Sequence, residues 1–217
     1  MKKYLRLCAL LMLFLLLANT AAAENAYEAY CREHAVSNVN LTAVIEIPGV
    51  NTLWPVMQHP TDHAFYATHD MTDAENTVGT LYTQSAYNLK DFSDPVTLIY
   101  GGSGKENSPL RNLQEWYSGS FDACRTILLH LPDRTEEYTV FAAVPFSSIH
   151  ILHYYNFRSE QRFVRFFDEV YQTRKLGMHL DTVLKPEPGE RVLILSTSHR
   201  GDSEQRYLVM AKVIKVP

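Results

Sequence analysis

Leu193-Ile194-Leu195-Ser196-Thr197-Ser198 and, after a polar gap, Arg206-Tyr207-Leu208-Val209-Met210-Ala211-Lys212 stand near the end of the chain. Both are dominated by aliphatic and β-branched residues, the composition of strands. Arg191 to Thr197 and Arg206 to Ile214 therefore read as the last two strands, joined by His199 to Gln205. Working back, Val96 to Tyr100 is a strand that runs into the flexible loop Gly101-Gly102-Ser103-Gly104. That loop is neither a dinucleotide fingerprint nor a P-loop, because its glycine spacing fits neither. Arg125 to Leu131 and Glu137 to Val144 form a hairpin through the Pro132-Asp133 turn. Val44 to Ile47, Pro55 to Met57 and Gly79 to Tyr82 supply three more strands, eight in all.

Three helices are expected between them. Asn25 caps the first, with Tyr27, Tyr30, Cys31 and His34 at a 3–4 spacing. Ser108 caps the second, with Pro109 at its first position and Leu110, Leu113, Trp116 and Tyr117 on one stripe. Ser159 starts the third, with Phe163, Phe166, Phe167, Val170 and Tyr171 inside. Strands outnumber helices and mostly follow one another, so the fold class is mainly β, a closed or nearly closed barrel with helical decorations.

The chain has 217 residues, 46% hydrophobic, 12% aromatic and 20% charged, which suits a packed domain and excludes a disordered chain. A net charge of −4 without a clustered basic face excludes an ordinary nucleic-acid binder. Residues 1–23 stand apart. Lys2, Lys3 and Arg6 precede the apolar run Leu7 to Ala18, and Ala21-Ala22-Ala23 offers a cleavage site. Twelve apolar residues span about 18 Å as a helix, less than the ~30 Å bilayer core, so a cleaved export signal is expected over an uncleaved anchor. Without it the charge is −7, and Cys31 and Cys124 remain as a disulfide or as two buried thiols. The domain reading is 1–23 signal or anchor, 24–40 N-terminal helix and 41–217 barrel.

Several segments, in order, resemble the class B sortases. Ile45-Glu46-Ile47-Pro48-Gly49-Val50-Asn51-Thr52 with Trp54-Pro55-Val56 is similar to the start of that barrel. His63 to Asp70 resembles the family's segment ending in a Tyr-x-x-x-Asp-like turn. Leu98-Ile99-Tyr100-Gly101 followed by Leu110 and Leu113 resembles the strand and helix around the sortase histidine. Leu193 to Ser198 resembles the strand ending in T-L-S-T-C, and Arg206 to Lys212 the R-[YF]-x-V-x-A-K strand after it. The likeness covers about residues 40–215. It implies an eight-stranded sortase-like barrel with an N-terminal helix and a helix in the connection before the last two strands. It also implies an exported protein of a Gram-positive cell, at the outer membrane face or in the wall. The expected partner is the sorting-signal peptide of a cell-wall protein, and membrane contact comes only through residues 1–23 if these are retained.

A sortase attacks its peptide with a cysteine thiolate, moves protons with a histidine and steadies the oxyanion with an arginine. Here Ser198 stands at the cysteine position and Gly102 at the histidine position, and only Arg206 keeps its family identity. A thiol ionises near pH 8.5, whereas a serine hydroxyl needs an adjacent base. The expectation is a sortase fold without cysteine transpeptidase chemistry, retaining a peptide groove. Ser196 and Thr197, leading to Ser198, are expected to contact the peptide. The alternative is a peptidase or transpeptidase that activates Ser198 with another base. His199 neighbours Ser198, but alternation on a strand sends the two to opposite faces. His63, His69, His150 and His153 are further candidates, each more simply read as a surface or capping residue. Asp168-Glu169 and the group Asp133, Glu136 and Glu137 read as solvated. No cofactor is expected. No metal site is expected either, since Pro60 breaks any helix that would align His59 with His63.

Overall fold

The computed structural model describes residues 25–50, 52–101, 108–119, 121–199, 202 and 204–215. Nine strands form: β1 (Leu41–Ile47), β2 (Thr52–Met57), β3 (Leu81–Tyr82), β4 (Val96–Tyr100), β5 (Thr126–His130), β6 (Thr135–Ser147), β7 (His179–Leu180), β8 (Val192–Ser198) and β9 (Gln205–Lys215). Four α-helices accompany them: α1 (Ala26–Glu33), α2 (Leu113–Gly119), α3 (Ile151–Tyr154) and α4 (Glu160–Gln172). The strands pair in the order β5-β1-β2-β3-β4-β8-β9-β6, and β6 pairs back onto β5. The result is a closed barrel of eight strands, with β7 added outside on β6.

All eight expected strands form, several of them longer than the apolar runs suggested. The ninth, β7, is two residues of low apolar character and gives no sequence signal. The same holds for α3, which is four residues long. The export signal or anchor expected at residues 1–23 lies outside the described residues. Among the described residues no helix is long and apolar enough to cross a membrane.

Two cores follow from the period-2 alternation of the strands. Ile45, Val56, Leu81, Ile99, Leu129, Val140, Leu195 and Val209 point inward and fill the barrel. Val96, Leu98, Tyr100, Val192, Ile194, Leu208 and Met210 point outward from β4, β8 and β9. That outer face would be a large exposed apolar patch, and α4 covers it with Phe163, Phe166, Phe167 and Val170. A bulge between Val140 and Ala142 resets the alternation of β6. Val140 and Ala143 thereby both face the barrel, while Phe141 and Ala142 turn out to α4.

Asn25 caps α1 as expected, its side chain accepting from the Tyr27 N–H. His34 is not on the buried stripe: the helix ends at Glu33 and His34 is its exposed C-cap, its ring tilted against Tyr30 with centroids 4.3 Å apart. Cys31 and Cys124 are free thiols in separate cores, beside Tyr27 and within the barrel respectively. Burial raises the pKa of both, so neither is a thiolate at neutral pH.

Glu136 is not solvated. It is fully buried, because Glu136, Tyr138 and Val140 alternate toward the barrel interior while Glu137 and Thr139 stay half-exposed. Arg134 and Arg191 neutralise it.

Gly79 adopts φ +70°, and a Cβ there would lie 2.5 Å from the Ala67 carbonyl oxygen. Gly79→Ala is therefore expected to cost about 1–3 kcal/mol, read as a lower urea midpoint at unchanged slope.

Candidate functional site

β4 and β8 run parallel with Tyr100 opposite Ser196, and the Gly101 N–H extends the ladder by donating to the Ser196 carbonyl at 3.0 Å. β8 and β9 run antiparallel with Ser198 opposite Arg206. Opposed residues share a face, as do residues two apart on one strand. Tyr100, Ser196, Ser198 and Arg206 thus all lie on the outer face. This is the face that α4 roofs further down, at Val192 and Ile194. Beyond the roof, at the end of β8, Ser198 is exposed on the same face.

Arg206 is held from two sides. Its Nε donates to Ser196 Oγ at 2.7 Å. Its guanidinium carbon lies 5.4 Å from the centroid of the Tyr100 ring, a cation–π contact. Tyr100 in turn stacks on Tyr82, centroids 5.4 Å apart and planes 23° apart. Burial raises the pKa of both phenols, and the positive charge of Arg206 only partly opposes it. The stack therefore stays neutral at physiological pH. With Nε committed to Ser196, the two terminal nitrogens of Arg206 have no hydrogen-bond partner among the described residues and remain a fork of donors.

Ser196 and Ser198 were both expected at the site, and both lie on this face. Ser196 is fully buried beneath Arg206 and serves to position it. Thr197 is brought elsewhere: it is 3% exposed and opposite Tyr207, whose side chain belongs to the barrel interior. Gly102 lies outside the described residues. Tyr82 and Tyr100 are site residues that the sequence reading does not include. The signal was available for Tyr100, since the outward alternation Val96, Leu98, Tyr100 ends on an aromatic where the apolar cover stops.

The histidines separate by their surroundings. His199 turns away from Ser198, its ring 6.4 Å from that of Tyr207 on the opposite face. His69 is stacked on Phe65 at 3.8 Å, and its Nδ1 donates to the Phe65 carbonyl at 2.8 Å. His59 Nδ1 accepts from the Asp62 N–H at 2.9 Å and so closes a turn. His150 sits at the rim, 6.5 Å from Tyr100 and 4.8 Å from Tyr87. Its Nδ1 caps α3 by accepting from the His153 N–H at 3.1 Å. The neutral ring therefore carries its proton on Nε2, which can donate but not accept. Partial burial lowers its pKa and favours that neutral form. His153 contacts Tyr87 through Nδ1 at 3.3 Å.

A curated relative, sortase B of Staphylococcus aureus (strain NCTC 8325 / PS 47), is 24% identical over 183 residues, 82% of this chain and 72% of that protein. Solved structures sharing the fold include a Cys→Ser mutant form of Clostridium perfringens sortase B. It has a TM-score of 0.71 and 20% identity, over 87% of this chain and 88% of that one. The Staphylococcus aureus sortase B–substrate complex has a TM-score of 0.69 and 19% identity, over 100% of this chain and 99% of that one. Sortase B from Listeria monocytogenes has a TM-score of 0.66 and 20% identity, over 83% of this chain and 98% of that one. No family model matches the chain. With an eight-stranded barrel of this connectivity and a curated sortase B among its relatives, the chain is a class B sortase-like protein.

Proposed function

We propose that this chain is an exported peptide-binding member of the class B sortase type that does not carry out cysteine transpeptidation. In this reading the groove along Tyr100, Ser198 and Arg206 holds an extended sorting-signal peptide of a cell-surface protein. One observation carries it: Ser198 Oγ lies open on the groove face with no hydrogen-bond partner among the described residues. A serine without an adjacent base is a poor nucleophile. Burial raises the pKa of Cys31 and Cys124, which pack in separate cores, so neither substitutes as a thiolate. The terminal nitrogens of Arg206, without a hydrogen-bond partner among the described residues, suit peptide carbonyls as well as they suit an oxyanion. That a related sortase B has been solved with its substrate supports a peptide as the ligand.

The test is a calorimetric titration of the chain with sorting-signal peptides, alongside an assay for cleavage with an amine acceptor. Binding without product is expected. Ser198→Ala should leave affinity within about twofold. Arg206→Ala should weaken it by roughly 10- to 100-fold, the loss of hydrogen bonds from a charged donor.

A second reading has a specific observation behind it. Ser85 Oγ donates to the His59 and Pro60 carbonyls at 2.9 and 3.0 Å, so at 3.0 Å it accepts from His63 Nδ1. That leaves the His63 Nε2 lone pair free to take a proton. His63 lies beside Asp62, which is close enough to Tyr82 to raise its pKa. In this reading His63 serves Ser198. Cleavage that disappears in both Ser198→Ala and His63→Ala would establish it and overturn the first.

A further inference from the structure

A separate cleft of about 320 Å³ opens between the β3–β4 connection, the first residues of β4 and the segment linking α3 to α4. Asp94 lies in it with its side chain 7% exposed. One carboxylate oxygen, Oδ2, accepts from the Leu89 N–H at 2.6 Å and from Asn88 Nδ2 at 3.4 Å. The other, Oδ1, has a single described neighbour, a terminal nitrogen of Arg158 at 3.7 Å. That distance is beyond a hydrogen bond, and the Arg158 side chain is 74% exposed. Tyr87, Tyr155 and Phe157 line the cleft, the last two stacked at 5.9 Å. Tyr87 also touches His150, so the cleft adjoins the rim of the groove.

A carboxylate this enclosed calls for a counter-ion and a full set of hydrogen bonds. Oδ1 has no hydrogen bond among the described residues, and its one described counter-ion is the exposed Arg158 at 3.7 Å. The arginine opposite it is solvated and held by no other described side-chain contact. Aromatic walls favour a cation, and they favour an aliphatic stem behind it. The volume is at the lower end of ligand pockets, about 300–1,000 Å³, and suits one extended side chain.

We propose that this cleft binds an alkylammonium group on an aliphatic stem, which displaces Arg158 from Asp94. The site does not depend on whether Ser198 reacts. It would read a cationic residue of a bound peptide, or a free primary amine of the same shape.

The experiment uses the full chain and two probes, N-acetyl-lysine N-methylamide and n-butylammonium, with N-acetyl-norleucine N-methylamide as the neutral control. Binding is followed by NMR shifts of the Tyr87 and Phe157 backbone amides. Saturable shifts with either cationic probe and none with the neutral control are expected. The lysine probe alone would point to a peptide side chain, and n-butylammonium alone to a free amine. Arg158→Ala should tighten binding about fivefold by removing the competing internal cation, whose surface pairing is weak. Asp94→Asn, which keeps an oxygen for the Leu89 N–H, should abolish it. A purely structural Asp94 would not make the Arg158 variant bind more tightly. Equal shifts with the neutral control, no shift with either cation, or no gain in Arg158→Ala would each overturn the proposal.

Discussion

A chain carrying Gly102→His and Ser198→Cys together is expected to cleave sorting-signal peptides that, on the function proposed above, the parent chain binds and leaves intact. The gain should be on the order of 10³-fold or more, since losing a nucleophile and its base costs up to ~10⁶ in a comparable hydrolytic site. The reason for expecting a gain at all is that the rest of the site is in place. Residue 198 is at the exposed end of β8, directly opposite Arg206. Arg206 is aimed by Ser196 and by the Tyr100–Tyr82 stack, and the double variant keeps all of these residues. Each single variant should fall far short of the pair, because a thiol without a base and a base without a thiol both lack half of the nucleophile. The measurement is product formation by mass spectrometry from a panel of peptides, with Arg206→Ala in the double background as the control. A double variant that binds peptide and makes no product would show that the groove no longer holds the scissile bond near residue 198. A double variant that neither binds nor cleaves would overturn the peptide-groove reading itself.

Glu136→Ala is expected to destabilise the fold by about 3–5 kcal/mol, the usual cost of removing one partner from a buried ion pair. Domains of this kind are stable by about 5–15 kcal/mol, so the loss is a large part of the whole. Glu136 accepts from both terminal nitrogens of Arg191 at 2.9–3.0 Å, from Arg134 Nε at 2.7 Å and from the Tyr138 hydroxyl at 2.7 Å. The same arginines also bond the Phe92 and Asp91 carbonyls, at 3.1 and 2.8 Å. The carboxylate therefore ties the β5–β6 hairpin and the start of β8 to the β3–β4 connection. Burial on its own pushes this carboxyl up, but the bonds from Arg191, Tyr138 and Arg134 outweigh it, and the folded pKa ends below the ordinary value. A depressed carboxyl stabilises the fold above its unfolded pKa of about 4.3 and loses that contribution as pH falls through the folded value. Urea midpoints from pH 7 to pH 3 should therefore show a steeper acid limb in the parent than in Glu136→Gln. Parallel limbs would place the acid sensitivity in other carboxylates.

The sequence was informative wherever one strand's own alternation settled the matter. The two runs at the end of the chain placed Ser198 and His199 on opposite faces, and the structure has them so. The stripe Phe163, Phe166, Phe167 and Val170 marked the buried side of α4. Glu136 marks the limit of local alternation. Its alternation with Tyr138 and Val140 pointed inward, but a lone charge inside a barrel is implausible until its partners are known. Arg191 is 55 positions away in the chain, and nothing local announces it.

What this sequence determined by itself is eight of the nine described strands, their two faces, and the residue types at the positions that the family likeness implies to be catalytic. These depend on residue type and a period of two, which are local. Only the tertiary structure decided that Ser196 orients Arg206, that Tyr82 backs Tyr100, that Thr197 faces the barrel, and that Asp94 lies in a cleft beside an exposed arginine. Each of these needs strands or connections distant in sequence to meet, and that meeting is set by barrel closure, by the bulge in β6 and by the α4 roof.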